Sequence, residues 1–325
     1  MAFLILSGSS FTIPSKAFTT LPVRISGFSS TLPRRHHYKR IMVTSNNNNN
    51  NDCEQTVVLQ LYKNKRGIIF DIDGTLADSW KLGFDATLAV MKNNNLGTIT
   101  EAEYHEYTRY CTPDRLARHA GLEPSDDENE AATSEFVTVG TRLGKEFDDL
   151  YVDLVSTETA GFYPGMHELL EALSCNDDNN DDDDDDDNTV RLGALTNACV
   201  AYAHAVLRVN TNMMDSTDNT ERCPGWNFQS VHGADDVPAP KPSAEGLWLV
   251  CKELNCTPNE CVYIGDSPSD AKAAKNAGMA AIGVLWGSHS KESLENAPFD
   301  HLCETVEELR LLLPTRTSTT SQKVV

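Results

Sequence analysis

No stretch of the 325-residue chain approaches the roughly 20 consecutive apolar residues that a membrane-crossing helix needs, so a membrane is not among its expected partners. The nine cysteines are odd in number and none stands in a CxxC pair, which removes the usual zinc spacing. Reduced thiols in a reducing compartment are the expectation. Cys251, Cys256 and Cys261 recur every five residues and read as scattered small hydrophobes. Positive charge is scarce, with 27 Lys and Arg against 48 Asp and Glu and a formal charge of −21. Nucleic-acid binding by charge is therefore disfavoured. An anionic substrate has to be drawn by a local field instead.

Residues 1–51 lack the opposite sign. They contain no Asp or Glu, and their six basic residues are Lys16, Arg24, Arg34, Arg35, Lys39 and Arg40. Without them the charge of −21 becomes −27. A basic, hydroxylated, acid-free segment has the signature of an organelle transit peptide. The expected address is the plastid, then the mitochondrion, or the cytoplasm if the segment is not a transit peptide. The apolar start Met1–Leu6 is too short for a signal peptide. Asn46–Asn51 reads as a linker, with folded sequence from about Gln55, and residues 314–325 read as a disordered tail.

What the chain does have is concentrated in a few short segments. The apolar run Gly67–Phe70 reads as a buried strand ending at Asp71 and Asp73, followed by Gly74 and Thr75. At a strand end residues i and i+2 point the same way, so the two carboxylates can serve one site. One can attack phosphorus while the other moves the proton of the leaving oxygen. Charges so close call for a cation, and hard oxygen ligands suit Mg²⁺. Downstream, the strand Val190–Leu195 ends at Thr196 and Asn197. Pro240–Lys241–Pro242 follows a strand at Phe228–Val231, and the strand Cys261–Ile264 runs into Asp266 and Asp270. Helix-forming sequence follows each strand, at Ala198–Leu207, Ser243–Leu254 and Ala271–Ala277. That alternation predicts an α/β fold with a doubly wound parallel sheet and ligands beyond the carboxyl ends of its strands.

These four segments, behind four strands in order, resemble the motifs of the haloacid dehalogenase-like (HAD) phosphohydrolase superfamily over residues 65–313. The resemblance implies an aspartyl-phosphate mechanism. Asp71 would be the nucleophile and Asp73 the acid that protonates the leaving alcohol and then deprotonates water. Thr196 and the Asn197 backbone would donate to phosphoryl oxygens, beside the turn of Gly74 and Thr75. Lys241 would neutralise Asp71 and phosphate. Mg²⁺ would sit on Asp71, the Asp73 carbonyl and Asp266, with Asp270 as a support or further ligand.

The core expected from the resemblance covers residues 52–82 and 164–313. Residues 83–163 read as amphipathic helices at Phe84–Lys92, Glu101–Tyr110, Pro113–Ala120 and Glu135–Val155, similar to the α-helical caps of the phosphoglycolate phosphatase and β-phosphoglucomutase branch. Thr112 would cap the third of these, with Pro113 at its first position. Arg115 and Arg118 follow, either able to meet a substrate carboxylate. The acidic run 176–188, with nine aspartates, and the polar segment Asn210–Asn219 are expected as solvated insertions remote from chemistry. Trp286 and Ser288–Ser290 follow a fifth strand, Ala281–Leu285, near the cap hinge, in the manner of the phosphoglycolate phosphatase-like group. The resemblance thus implies a phosphomonoesterase for a small phosphorylated metabolite such as 2-phosphoglycolate. A sugar-phosphate mutase, a nucleotide or pyrophosphate phosphatase and a non-catalytic binding protein remain as alternatives, and a homodimer stays open as its assembly.

Overall fold

In a computed structural model the described residues are 62–124, 130–174, 190–211 and 228–314. They build a parallel six-stranded sheet in the order β3-β2-β1-β4-β5-β6. The strands are β1 (Gly67–Phe70), β2 (Arg191–Leu195), β3 (Phe228–His232), β4 (Cys261–Gly265), β5 (Ala280–Val284) and β6 (His301–Cys303). Central β1 is buried along its whole length, as a parallel strand covered on both faces must be, so its sequence is continuously apolar. Ile68 and Phe70 enter one core and Ile69 the other. From β1 the chain order runs outward through β2 to one side and through β4 to the other. The crevice of a doubly wound sheet therefore opens at the carboxyl ends of β1 and β4.

Helices α1 (Trp80–Asn93), α2 (Glu101–Tyr107), α3 (Thr112–His119) and α4 (Glu130–Asp153) form an insertion between β1 and β2. Of these, α1, α3 and α4 share a core with α5 (Met166–Ser174), α6 (Val200–Asn210) and α10 (Val306–Leu312). Helices α7 (Glu245–Glu253), α8 (Pro268–Ala277) and α9 (Lys291–Glu295) cover the other face. The insertion leaves and rejoins the sheet at one place. Asp78 N donates to Gly161 O at 2.9 Å, Tyr163 N donates to Leu76 O at 3.0 Å, and Ala77 forms an antiparallel bridge with Phe162.

Several expectations need correction. Helix α1 begins at Trp80, ahead of residue 83. Cys111, not Thr112, caps α3, because Arg115 N closes the first turn on Cys111 O at 2.9 Å. Asn210 does not open a solvated insertion. It is the buried last residue of α6, and its amide ties Ala160 O and Phe162 N, each at 2.9 Å. Strand β6 was not anticipated, since three residues are too few to show a period. Cys251 and Cys261 are small buried residues of one hydrophobic core, as expected, with their sulfurs 3.7 Å apart as free thiols. The transit-peptide segment, the acidic run 176–188, residues 212–219 and the tail beyond Pro314 lie outside the described residues.

Candidate active site

Asp71 follows β1 directly and is buried. Its Oδ1 lies 2.6 Å from Lys241 Nζ, which is also 2.8 Å from Asp270 Oδ1 and donates to Leu195 O at 3.2 Å and Tyr263 Oη at 2.9 Å. The ammonium is thus fixed by the ends of β1, β2 and β4 together. The Lys241 backbone is held as firmly: its N donates to Asn197 Oδ1 at 2.9 Å, and Asn197 Nδ2 donates to its carbonyl at 3.1 Å. The side chain of Asn197, expected near phosphate through its backbone, therefore sets the lysine loop. Thr75 is buried with its hydroxyl 3.5 Å from Asp71 Oδ2, and it does not line the cleft.

Asp266 follows β4, and Asp270 lies in the first turn of α8. Ser267 caps that helix in a reciprocal box, its N and Oγ donating to Asp270 Oδ2 at 2.9 and 2.7 Å. With Tyr263 and Lys241 on its other oxygen, Asp270 has both carboxylate oxygens engaged. One oxygen each from Asp71, Asp266 and Asp270 lies within 4.8 Å of the others. Room beside Asp266 is kept by two glycines. A Cβ on Gly74, which has φ of +74°, or on Gly287 would collide with the Asp266 carboxylate. Asp266 Oδ2 accepts from Ser288 N at 2.7 Å and lies 3.7 Å from His289 Nδ1.

The electrostatics describe a site short of positive charge. Burial pushes the Asp71 carboxyl well up; Lys241 pulls it back, while Asp270, Asp266 and Asp73 add to the rise. Burial alone would depress Lys241, but Asp270 and Asp71 outweigh it and hold its pKa well above the usual lysine value. The lysine is therefore a fixed cation, and one ammonium does not neutralise the carboxylates around it. A hard divalent cation fits this oxygen donor set and the space the glycines leave.

Asp73 is not one of the three clustered carboxylates but lines the same cleft. Its Oδ1 accepts from Ser79 Oγ at 2.5 Å, Tyr202 Oη at 2.6 Å and Tyr151 Oη at 2.8 Å, and its Oδ2 from Thr196 Oγ1 at 3.2 Å. The Thr196 hydroxyl, expected on phosphate, is thus engaged by Asp73. The opposite wall comes from the insertion: Trp80, Tyr104, Tyr110, Phe147, Tyr151 and Arg115 line the cleft. Arg115 is buried, donates to Thr87 Oγ1 at 2.8 Å, and holds its guanidinium 4.5 Å from the Phe147 ring centre and 5.3 Å from that of Tyr104. Arg118 is a correction. One helical turn carries it out of the cleft lining, where it pairs with Glu123 and lies over Tyr110 at 4.2 Å. Trp286 also stays out of the lining, donating to Thr75 O at 3.0 Å, whereas Ser288 and His289 reach the cleft. Sequence reasoning missed Ser79, although it stands in the first motif, and it missed the tyrosines. Phe147 and Tyr151 share a face at i,i+4, a spacing that reads as ordinary core.

A family model described as haloacid dehalogenase-like hydrolase matches residues 65–278, and the chain belongs to that family. Within the family it is a phosphatase. It is similar to the phosphoglycolate phosphatase of Shigella dysenteriae, 24% identical over 263 residues that span 76% of this chain and 92% of the relative. The phosphoglycolate phosphatase of Salmonella paratyphi A is 25% identical over 261 residues, with the same shares. The crystal structure of CbbY from Rhodobacter sphaeroides in complex with phosphate superposes with a TM-score of 0.57 at 22% identity, covering 75% of this chain and 96% of that one.

Proposed function

We propose that the protein is a Mg²⁺-dependent phosphomonoesterase that works through an aspartyl-phosphate, with 2-phosphoglycolate as its best substrate. The observation that carries the reading is Lys241 bridging Asp71 and Asp270, with Asp266 alongside, at the mouth of the parallel sheet. Asp71 attacks phosphorus as the bond to the leaving alcohol breaks, and Asp73 supplies the proton that alcohol needs. Asp73 then takes a proton from the water that hydrolyses the phospho-enzyme. Lys241 balances charge on Asp71 and on the transferring group throughout. Mg²⁺, held by Asp71, Asp266 and the Asp73 carbonyl with Asp270 behind them, supplies further charge neutralisation when bound.

The helical insertion acts as a cap that excludes water and selects the leaving group. Arg115 is its one cleft-lining guanidinium among the described residues and suits a carboxylate on the substrate. The names of the bacterial relatives favour the same substrate. The test is phosphate release by the full chain, with and without Mg²⁺, from 2-phosphoglycolate, glucose phosphates, nucleoside monophosphates and pyrophosphate. Release that needs Mg²⁺ and is fastest with 2-phosphoglycolate is expected. Broad or sugar-directed release would keep the chemistry and remove the substrate. No release with Mg²⁺ present would overturn both.

A further inference from the structure

The side-chain partners of Asp73 are all hydroxyls, and two of them come from buried tyrosines on different helices. Tyr202 belongs to α6 beneath the sheet ends and is fully buried; Tyr151 belongs to α4 of the cap. Their rings stack with centroids 3.9 Å apart at 13°. Both phenols converge on one oxygen, Asp73 Oδ1, where Ser79 from the entry to α1 also donates. A buried phenol needs some acceptor, and a backbone carbonyl would satisfy it. Here the acceptor is a cleft-lining carboxylate, so the ring pair fixes the position of a group facing the reaction. Burial pushes both phenols well up, with Asp73 adding to the rise, so they remain donors.

We propose that Tyr202 and Tyr151 are positioning residues, a phenol clamp that aims Asp73 at the leaving-group oxygen and ties its placement to the seating of α4. This rests on the reading of Asp73 as the proton donor. Tyr202 is the clean probe because it does not line the cleft, whereas Tyr151 does. Phenylalanine keeps the stacked ring and removes only the hydroxyl.

The experiment compares kcat/KM for 2-phosphoglycolate, an alkyl ester whose leaving oxygen needs a proton, with kcat/KM for p-nitrophenyl phosphate, whose leaving group does not. Tyr202→Phe should lower the first about tenfold, the scale of a lost hydrogen bond to a carboxylate, and leave the second within about twofold. KM for 2-phosphoglycolate should hardly move. Ser79→Ala should show the same selectivity more weakly, which covers the case of a Tyr202→Phe protein that does not fold. In an Asp73→Asn background Tyr202→Phe should add nothing. An equal loss on both esters, or no loss on either, while Asp73→Asn alone remains selective, overturns the clamp. Absence of selectivity in Asp73→Asn itself overturns the proton-donor reading and the clamp with it.

Discussion

The floor of the cleft is charged and the roof is aromatic. Asp71, Asp73 and Asp266 come from loops at strand ends, each within a few residues of a backbone whose position the sheet dictates, and Lys241, farther along the loop after β3, is tied to them through Asn197 and Leu195 O. Trp80, Tyr104, Phe147 and Arg115 gather from four helices, Tyr110 from the link between α2 and α3, and together they span almost seventy positions. Strand ends suit chemistry that tolerates little displacement, because parallel pairing fixes β1 against β2 and β4 residue by residue. Helix faces suit selection, because they can move as a body and exclude water. Damage to Asp71, Lys241 or Asp266 should therefore cost every substrate alike, damage to Asp73 should sort substrates only by the proton their leaving group needs, and damage to the roof should redistribute activity by what the substrate carries beyond its phosphate.

The largest effect should come from the floor. Asp71→Asn is expected to lower phosphate release by at least about 10³-fold on every ester tested, measured at saturating substrate with Mg²⁺. Its fold should survive. Burial and neighbouring carboxylates raise the native Asp71 pKa above its unfolded value, so the stability it contributes is lost as pH rises through that raised value. A neutral isostere removes that pH-dependent cost but leaves Lys241 paired with Asp270 alone, so Tm at pH 8 without metal should move little. Arg115→Met tests the roof. KM for 2-phosphoglycolate should rise about 10- to 100-fold, as for a lost charge-assisted contact, while p-nitrophenyl phosphate changes by less than about threefold. Equal losses on both would break the division between floor and roof.

The smallest effect concerns how the roof seats on the floor. Asp148 of α4 has a buried Oδ1 with no hydrogen-bond partner. Burial, with Asp235 adding, pushes its pKa up to about 6 against the pull of Arg115 and a bond from Cys199. Because the folded value exceeds the unfolded one, its stabilising share is full below the usual carboxylate range and is lost as pH rises toward and past 6. Asp148→Asn should raise Tm at pH 8 by roughly 2–4 °C, on the order of 1 kcal/mol after discounting for partial exposure, and by less at pH 5. Turnover should not change.

The floor was legible because its chemistry is written in contiguous residues. Asp71 and Asp73 are separated by one position, Asp266 and Asp270 by a capping turn, and the apolar run before each announces a strand. The first four strands fall within a residue or so of the expected positions, and in β1, β2 and β4 continuous burial leaves a continuous apolar signature. The roof was not legible in the same way. An aromatic residue on a helix faces core or cleft depending on how the helix is rotated, and rotation is set by tertiary packing. Arg115 and Arg118 make the point: one turn apart and identical in type, they part at the cleft wall. The network around Asp73 was hidden for a related reason, since Tyr151 and Tyr202 meet it from 78 and 129 residues away.

The paired hinge has a consequence for how such a molecule can change over time. The chain leaves for the roof at Ala77 and returns at Phe162, and those two residues are bridged. Everything between them is hung from a closed loop whose ends already touch. Lengthening, shortening or exchanging that loop places no new demand on the sheet, because the distance to be spanned stays the same. The roof is in that sense a cartridge: substrate range can be rewritten by trading it, so long as the replacement keeps donors to Asp73 where Ser79 and Tyr151 now stand.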